Sequence, residues 1–437
     1  MKSVLVLGAG LVSGPLVRYL LGEAGCRVTV ADIEPARARR LVEGYPNGAW
    51  LEMSADNERE LGEAVVEHDL VVSLLPYAHH VRVAGHCLRQ SRPLVTTSYV
   101  SEEMRALDAA ARDAGVLLLN EVGLDPGIDH MSAMALIHRV QEAGGRVTHF
   151  RSYCGGLPGP EANNNPLGYK FSWSPKGVVM AGRNDARYLD DGKEVFVPGR
   201  ELFGHRWRLE VPGQDAFEAY PNRDSLPYVE RYGLAGIRTM LRGTLRYPGW
   251  CETLKAIADL DLLDDRERDD LADLTCADWV RECVSNDGDL RRAVSERLGV
   301  SPDAPVVVNL AWLGFFNDEP VGIERGSNLD ILAKLMLDRM AYRPGERDMV
   351  VLHHEFEVEH PGEVSVPVTS TLVVLGEPDG ESAMARTVGL PAAIAARLIL
   401  DGRLRLTGVQ IPVSPEIYRP VLEELARFGI ACIERDG

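Results

Sequence analysis

The sequence predicts an α/β protein, a doubly wound parallel sheet joined to a second, α+β domain. Three observations carry that prediction. Residues 4–15, VLVLGAGLVSGP, read as buried strand, glycine turn and helix start. Strand and helix signals then alternate through the first third of the chain, as βα units do. After Gly127 the alternation stops. Residues 349–359 and 363–375 become two long alternating strands around a Pro361-Gly362 turn, which reads as an antiparallel hairpin.

The elements follow in order. Val4, Leu5, Val6 and Leu7 form a short apolar run that suits a strand buried on both faces. Gly8 permits a tight turn, and Gly10 leaves no side chain between the backbone and a pyrophosphate. The next helix offers free N–H groups to the anion. Ser13, beside Gly14, stands at the third position of G-x-G-x-x-G, so the fingerprint is incomplete. Leu16, Val17, Tyr19, Leu20 and Leu21 continue at helical spacing. A second strand, RVTV at 27–30, ends near Asp32, about twenty residues on, where such units carry an acid for the ribose. Together these features point to a dinucleotide-binding, Rossmann-type unit.

Residues 35–43 form an arginine-rich helix and 61–67 another. Residues 69–75 form a strand stopped by Pro76; 80–90 read as helix and 93–97 as strand. Ser101 can cap a helix reaching residue 113, with Glu102 and Glu103 in its first turn. Gly115 ends it, and 116–119 is a further buried strand. Ligands bind at the carboxyl ends of parallel strands. The loops 74–77, 96–99 and 121–127 are therefore where function is expected.

Beyond Gly127, residues 128–143 read as a helix closed by Gly144-Gly145. Residues 146–153 read as a strand leading into Cys154-Gly155-Gly156-Leu157-Pro158. The chain to residue 249 is rich in Gly, Pro, Asn and aromatics. Residues 252–299 are acidic and helical, with turns at Asp264-Asp265 and Asn286-Asp287-Gly288. Residues 329–341 form another helix. The last helices are 382–401, interrupted near Gly389-Leu390-Pro391, and 414–428, with Ser414 as N-cap and Pro415 at its first position.

Composition bounds the function. The 437 residues allow two or three domains. A hydrophobic share of 45% and a charged share of 26% are those of an ordinary globular protein. A net charge of −18 argues against nucleic acid or anionic membrane as partner. An anionic substrate would need a local arginine cluster. The seven cysteines are odd in number and scattered, with no C-x-x-C pair, so neither a disulfide framework nor a metal site is expected. No apolar run is read as reaching membrane-spanning length. The N-terminus enters a strand at once, which leaves no room for a signal peptide. The expectation is a cytoplasmic protein.

Six collinear motifs then carry a resemblance: GLDPGIDH (123–130), SYCGGLP (152–158), NPLGYKFSWS (165–174), YPNRDS (220–225), RGTLRY (242–247) and WLGFF (312–316). They resemble the saccharopine reductase family, the glutamate-forming saccharopine dehydrogenases. The resemblance implies a Rossmann domain at 1–123. A substrate domain would follow at 124–385, with a helical insertion at about 230–320, and C-terminal helices at 386–437 would return to the first domain. It implies an NAD(P)-dependent oxidoreductase of lysine metabolism, interconverting saccharopine with L-glutamate and 2-aminoadipate 6-semialdehyde. A small-molecule amino-acid substrate and a homodimer are the expected partners.

That reaction needs an amine deprotonated, a water activated and a tricarboxylate held. Carboxylates call for arginine forks. The resemblance places Arg223, Gly243, Thr244 and Arg246 at the substrate, with Ser98 and Tyr99 in reach of it. It implies dinucleotide contacts from Gly8, Gly10, Leu11 and Val12, from Asp32, and from Leu75, Thr97 and Ser98 at strand ends. Leu124, Asp125 and Pro126 past the last strand, and Ser174, complete that set. Acid–base candidates are Asp125, Tyr99 and Cys154; His79, His80 and His130 are alternatives. Asp125 competes with a plain role as N-cap of the helix near Ile128. A carboxylate at Asp32 favours NAD over NADP by repelling a 2′-phosphate, although Arg37, Arg39 and Arg40 follow and could partner one. Lysine 6-dehydrogenase, carboxynorspermidine dehydrogenase and a non-catalytic nucleotide-binding protein stay open. The two arginines favour a polycarboxylate over a diamine.

Overall fold

A computed structural model describes residues 1–173, 175–284 and 288–436. The chain forms two compact units. One comprises Met1–Arg146, Glu359–Val364 and Leu372–Arg435; the other is made chiefly of Val147–Val358 and Ser365–Thr371.

The first unit is built on a seven-stranded sheet. Its strands are β1 (Ser3–Leu7), β2 (Arg27–Asp32), β3 (Gly48–Glu52), β4 (Leu70–Ser73), β5 (Leu94–Thr96) and β6 (Leu117–Leu119), with Gly408–Gln410 added beside β6. From that added strand the order is β6, β5, β4, β1, β2, β3, all parallel. Leu7 therefore has Ala31 on one side and Ser73 on the other. The order reverses between β1 and β4, which opens a crevice at their carboxyl ends. All residues of β1 and β4 are buried, as their unbroken apolar runs require. The edge strand β3 has no counterpart in the sequence reading. Trp50 and Leu51 on it are exposed, so burial gives it no apolar signature.

Helix α1 (Ser13–Leu21) buries Leu16, Val17, Leu20 and Leu21. Against it lies the helix Ala383–Leu400, capped by Ser382, whose hydroxyl accepts from the Ala385 N–H (3.0 Å). The expected break at 389–391 does not occur: the helix runs through Pro391. Packing on nearly all sides outweighs the hydrogen bond that proline removes. This helix is long and apolar enough to cross a bilayer by length and composition, contrary to the sequence reading, but 72% of it is buried within the protein. Ser101 caps as expected, accepting from the Met104 N–H (3.1 Å), but its helix is two pieces, Glu102–Ala106 and Asp108–Asp113. Ser414 occupies the N-cap of Pro415–Arg427 without a capping hydrogen bond from its side chain.

The second unit is a mixed sheet with helices. Its strands are β7 (Arg146–Pro158), β8 (Ala186–Asp190), β9 (Lys193–Val197), β10 (Trp207–Leu209), β11 (Phe217–Pro221), β12 (Thr239–Arg246), β13 (Asp348–Glu359) and β14 (Val366–Leu375). They run in the order β10, β11, β12, β7, β13, β14, with β8 pairing β12 and β9. β12 is parallel to β7 and antiparallel to β11. β7 extends beyond residue 153, so Cys154-Gly155-Gly156-Leu157-Pro158 is strand and not loop. Gly155 is required there, since a Cβ would meet Leu245 Cβ at 2.9 Å. Among the described residues, five helices of 9–12 residues lie between β12 and β13, from Trp250–Asp259 to Asn328–Arg339, the last opened by a Ser327–Asp330 capping box. The expected turn at Asn286-Asp287 falls outside the described residues.

Candidate active site

The glycine turn fits a dinucleotide. Gly8 has φ 101°, and its N–H donates to the Ala31 carbonyl (2.8 Å); a Cβ there would meet the Leu74 carbonyl at 3.2 Å. At Gly10 a Cβ would meet nothing within 4 Å, so open space faces the backbone just where a pyrophosphate must approach. Ser13, in place of the third glycine, is fully buried and donates to the Gly8 carbonyl (2.9 Å), closing the turn. Val12, the N-cap of α1, makes no side-chain cap, and Leu11 is 68% exposed beside it. Asp32 binds backbone on both sides: Oδ2 accepts from the Ala9 N–H (2.7 Å) and Oδ1 from the Glu34 N–H (2.8 Å). Its charge thus sits at the mouth of the glycine turn. Arg37 pairs with Glu34 (2.8 Å), and Arg39 and Arg40 are exposed on the helix that follows.

The strand-end loops of the same unit are tied together. His80 bridges two of them, the ends of β4 and β5, with Nδ1 bonded to Ser73 Oγ (3.0 Å) and Nε2 to Ser98 Oγ (2.8 Å) and Thr96 Oγ1 (3.1 Å). Burial, and then the neighbouring His79, pull its pKa down to about 4, so the imidazole is neutral at neutral pH. Tyr99 donates its hydroxyl to Asp125 Oδ1 (2.8 Å). Leu75 is half-buried against the core beneath β4. Thr97 packs under Gly123, where a Cβ would lie 3.2 Å from Thr97 Cβ. Leu124 is buried, and its carbonyl accepts from the Asp129 N–H (3.0 Å); Asp125-Pro126 is a cis peptide.

The competing role for Asp125 is overturned. Gly127 is the N-cap of Ile128–Glu142, and Asp129 Oδ1 accepts its N–H (2.5 Å). Asp129 therefore serves the helix start, and Asp125 faces Tyr99. His130 is fully buried on Glu121 Oε2 (2.8 Å), while His79 sits beside Asp56 (3.6 Å).

In the second unit the register gathers the motif residues. Cys154 pairs with Thr244 and Tyr153 with Gly243 across β7 and β12; Tyr220 pairs with Thr244 and Pro221 with Gly243 across β11 and β12. Cys154 is 8% exposed. Gly243 admits this packing, since a Cβ would lie 2.9 Å from the Tyr153 ring. Burial pushes the Tyr220 hydroxyl up to about 12, so it stays protonated.

Arg246 is 5% exposed. Its guanidinium lies over Tyr169 (4.9 Å) and Trp250 (5.3 Å), and Nη1 donates to the Leu245 carbonyl (2.7 Å). Nε has no hydrogen-bond partner, and among the described residues Arg246 makes no ion pair. Glu218, opposite it in register, pairs with Arg206 (3.1 Å) instead. Arg223 is exposed just past β11, with φ 57°. Ser174 lies outside the described residues.

Sequence reading gave no role to several groups beside these, although Thr96 and Glu121 stand in loops where it expected function. Ser73 and Thr96 bind His80, Glu121 binds His130, and Arg242 is buried over Tyr228 (4.5 Å). Arg242 opens RGTLRY, so the motif held the signal. The His80 contacts join residues from two strand ends, those of β4 and β5, and have no local signature.

Comparison with known proteins agrees along the whole chain. Residues 4–119 match the family model of the saccharopine dehydrogenase NADP binding domain, and residues 123–430 match that of the saccharopine dehydrogenase C-terminal domain. The chain is 40% identical to saccharopine dehydrogenase [NADP(+), L-glutamate-forming] of Pyricularia oryzae, with 99% of both chains covered. It is 39% identical to the mitochondrial alpha-aminoadipic semialdehyde synthase of Bos taurus over 98% of this chain, which spans 47% of that protein. Among solved structures, the apo saccharopine dehydrogenase (L-Glu forming) of Saccharomyces cerevisiae superposes with a TM-score of 0.90 at 36% identity, covering 100% of each chain. With the glycine turn, the strand-end loops and the arginine-bearing sheet all in place, the chain belongs to the saccharopine dehydrogenase family.

Proposed function

We propose that this enzyme interconverts saccharopine, water and NAD(P)+ with L-glutamate, 2-aminoadipate 6-semialdehyde, NAD(P)H and a proton. The observation that carries the reading is Arg246: a buried guanidinium with no carboxylate of its own among the described residues. A cation is rarely left so unless a ligand supplies the anion. Arg223 supplies a second, exposed cation for a substrate with three carboxylates. Gly8, Gly10 and Asp32 would hold the dinucleotide, which would supply the acceptor for the hydride on the carbon next to the secondary amine. Asp125 takes the amine proton, and the Tyr99 hydroxyl holds its carboxylate in one orientation. Cys154, next to Thr244, presents a thiol to the water that cleaves the imine. His80, kept neutral, fixes Ser98 without adding charge.

The test is the absorbance of reduced nicotinamide after adding saccharopine, lysine or a carboxypolyamine with each dinucleotide. Saccharopine should support reduction and the other two should not. Reduction with lysine or a carboxypolyamine alone would move the enzyme to a sister activity.

The dinucleotide proposed is NAD, from the Asp32 carboxylate at the ribose end of the glycine turn. Asp32→Arg should shift preference toward NADP, with Arg39 and Arg40 as further phosphate partners. The relatives named for NADP(+) make this comparison decisive. A parent enzyme that already prefers NADP by tenfold, about 1.4 kcal/mol, refutes the role given to Asp32.

A further inference from the structure

We infer that Glu121 is a positioning residue, which with His130 sets the distance between the Tyr99 hydroxyl and the Asp125 carboxylate. The inference rests on the roles proposed above for that pair. Glu121 follows β6 and grips both neighbours of Tyr99. Its N–H donates to the Ser98 carbonyl (3.2 Å), and its Oε1 accepts from the Val100 N–H (3.0 Å). One residue farther on, the Val122 N–H donates to the Thr96 carbonyl (3.2 Å). The Tyr99 loop is therefore held to residues 121–122 at three points. The other carboxylate oxygen, Oε2, accepts from His130 Nε2 (2.8 Å) on the helix Ile128–Glu142.

That helix anchors the Asp125 loop. The Ile128 N–H donates to the Gly123 carbonyl (2.9 Å), and the Asp129 N–H to the Leu124 carbonyl (3.0 Å). Asp129 Oδ2 lies 3.5 Å from His130 Nδ1, so the imidazole is flanked by two carboxylates. One glutamate side chain thus joins the segment that carries the hydroxyl to the helix that anchors the loop of the acid.

Two features argue that this is more than packing. Glu121 is fully buried, as is His130. A carboxylate is kept in such a place only when its hydrogen bonds fix something. It also sits at φ 59°, in the left-handed region that a glutamate seldom adopts. Outliers of this kind persist where the surrounding structure imposes them, and they cluster at functional sites. Glycine would take this conformation without strain, yet it would leave the Val100 N–H and His130 without this carboxylate.

Steady-state kinetics of Glu121→Gln and Glu121→Gly, each combined with Tyr99→Phe and Asp125→Asn, test the inference. Glu121→Gly relieves the left-handed strain and Glu121→Gln keeps the shape, so one or both should fold, as thermal melting will check. Loss of alignment should lower kcat roughly tenfold or more. The KM for saccharopine and the dinucleotide Kd, from fluorescence of the reduced form, should move less than about twofold.

In the Tyr99→Phe or Asp125→Asn background, replacing Glu121 should cost much less, because no aligned pair remains to disturb. Full multiplication of the two losses, or a dinucleotide Kd that weakens along with kcat, would make Glu121 a purely structural residue and overturn the inference. Tyr99→Phe and Asp125→Asn variants that keep full kcat would overturn the roles of the pair itself, and this inference with them.

Discussion

Asp125 and Arg246 are the residues whose surroundings argue most directly for chemistry. Asp125 spends one oxygen on the Tyr99 hydroxyl, and the helix start beyond it is served by Asp129. Asp125→Asn and Asp125→Ala should therefore both lower kcat, with the melting temperature changing by no more than about 2 °C, since no cap is lost. A large fall in melting temperature for the alanine variant alone would return Asp125 to a structural role. Arg246 predicts the opposite balance. Replacing a buried unpaired cation by an apolar residue of similar length is neutral or stabilising. Arg246→Met should hold or raise the melting temperature while raising the KM for saccharopine at least tenfold, the loss of one charge-assisted contact worth about 1.5–3 kcal/mol. The Kd for the dinucleotide alone should not change. Arg223→Met, at an exposed site, should show the same split with a smaller effect.

Elements decide how closely the glycine turn is held. A Cβ on Gly389 would meet the Val12 carbonyl at 2.9 Å and the Leu16 N at 3.2 Å, both backbone atoms of the turn and α1. Gly389→Ala should destabilise by about 1–3 kcal/mol through overpacking. Because Val12 begins α1, dinucleotide affinity should weaken in the same variant. Gly85→Ala, where the nearest contact is an ordinary 3.5 Å to Arg89, should instead stabilise its helix by roughly 0.5–1 kcal/mol. Calorimetry and nucleotide titration of the two variants check this contrast. The same elements show what was legible beforehand. β1, the glycine turn and Asp32 were readable because burial and close approach constrain residues next to one another in sequence. β3 was not, since an exposed edge strand needs no apolar pattern. The helix through Pro391 was not, because its tertiary packing overrides a local rule. In the site, the motifs carrying Arg246 and Asp125 were legible. The joining of Ser73, Thr96 and Ser98 through His80, and of Val100 and His130 through Glu121, was not. Those links are made by residues up to 21 positions apart in sequence.

On the scale of the whole molecule, acid should act on the two units through different groups. In the first unit, burial and then His79 hold His80 down at about 4, against 6.5 when free, and burial lowers His68 as well. Above pH 6.5 both folded and unfolded forms are neutral and nothing is lost. As pH falls from 6.5 to about 4 the unfolded chain takes up the proton first. Stability is lost across that window, on the order of 3 kcal/mol for His80. In the second unit burial acts to raise the Glu346 carboxyl. The Arg343 N–H (2.8 Å), Lys170 Nζ (2.5 Å) and Asn164 Nδ2 (2.9 Å) outweigh it and hold the group at about 2, against 4.5 when free. Its contribution is complete above pH 4.5 and is lost as pH falls from 4.5 towards 2, on the order of 2 kcal/mol after allowing for the nearby solvent. His80→Gln should therefore flatten the decline between pH 6.5 and 4 and leave the lower limb alone. Glu346→Gln should leave the buried Lys170 ammonium without its carboxylate and cost about 3–5 kcal/mol at neutral pH. That deficit should narrow, by about 2 kcal/mol, as pH drops from 4.5 towards 2 and the parent carboxyl is itself protonated. Urea unfolding of the parent and both variants at pH 7, 5.5, 4 and 3, followed by tryptophan fluorescence, separates the two windows. A Glu346→Gln deficit that stays constant down to pH 3 would mean that Lys170 draws its compensation from other groups.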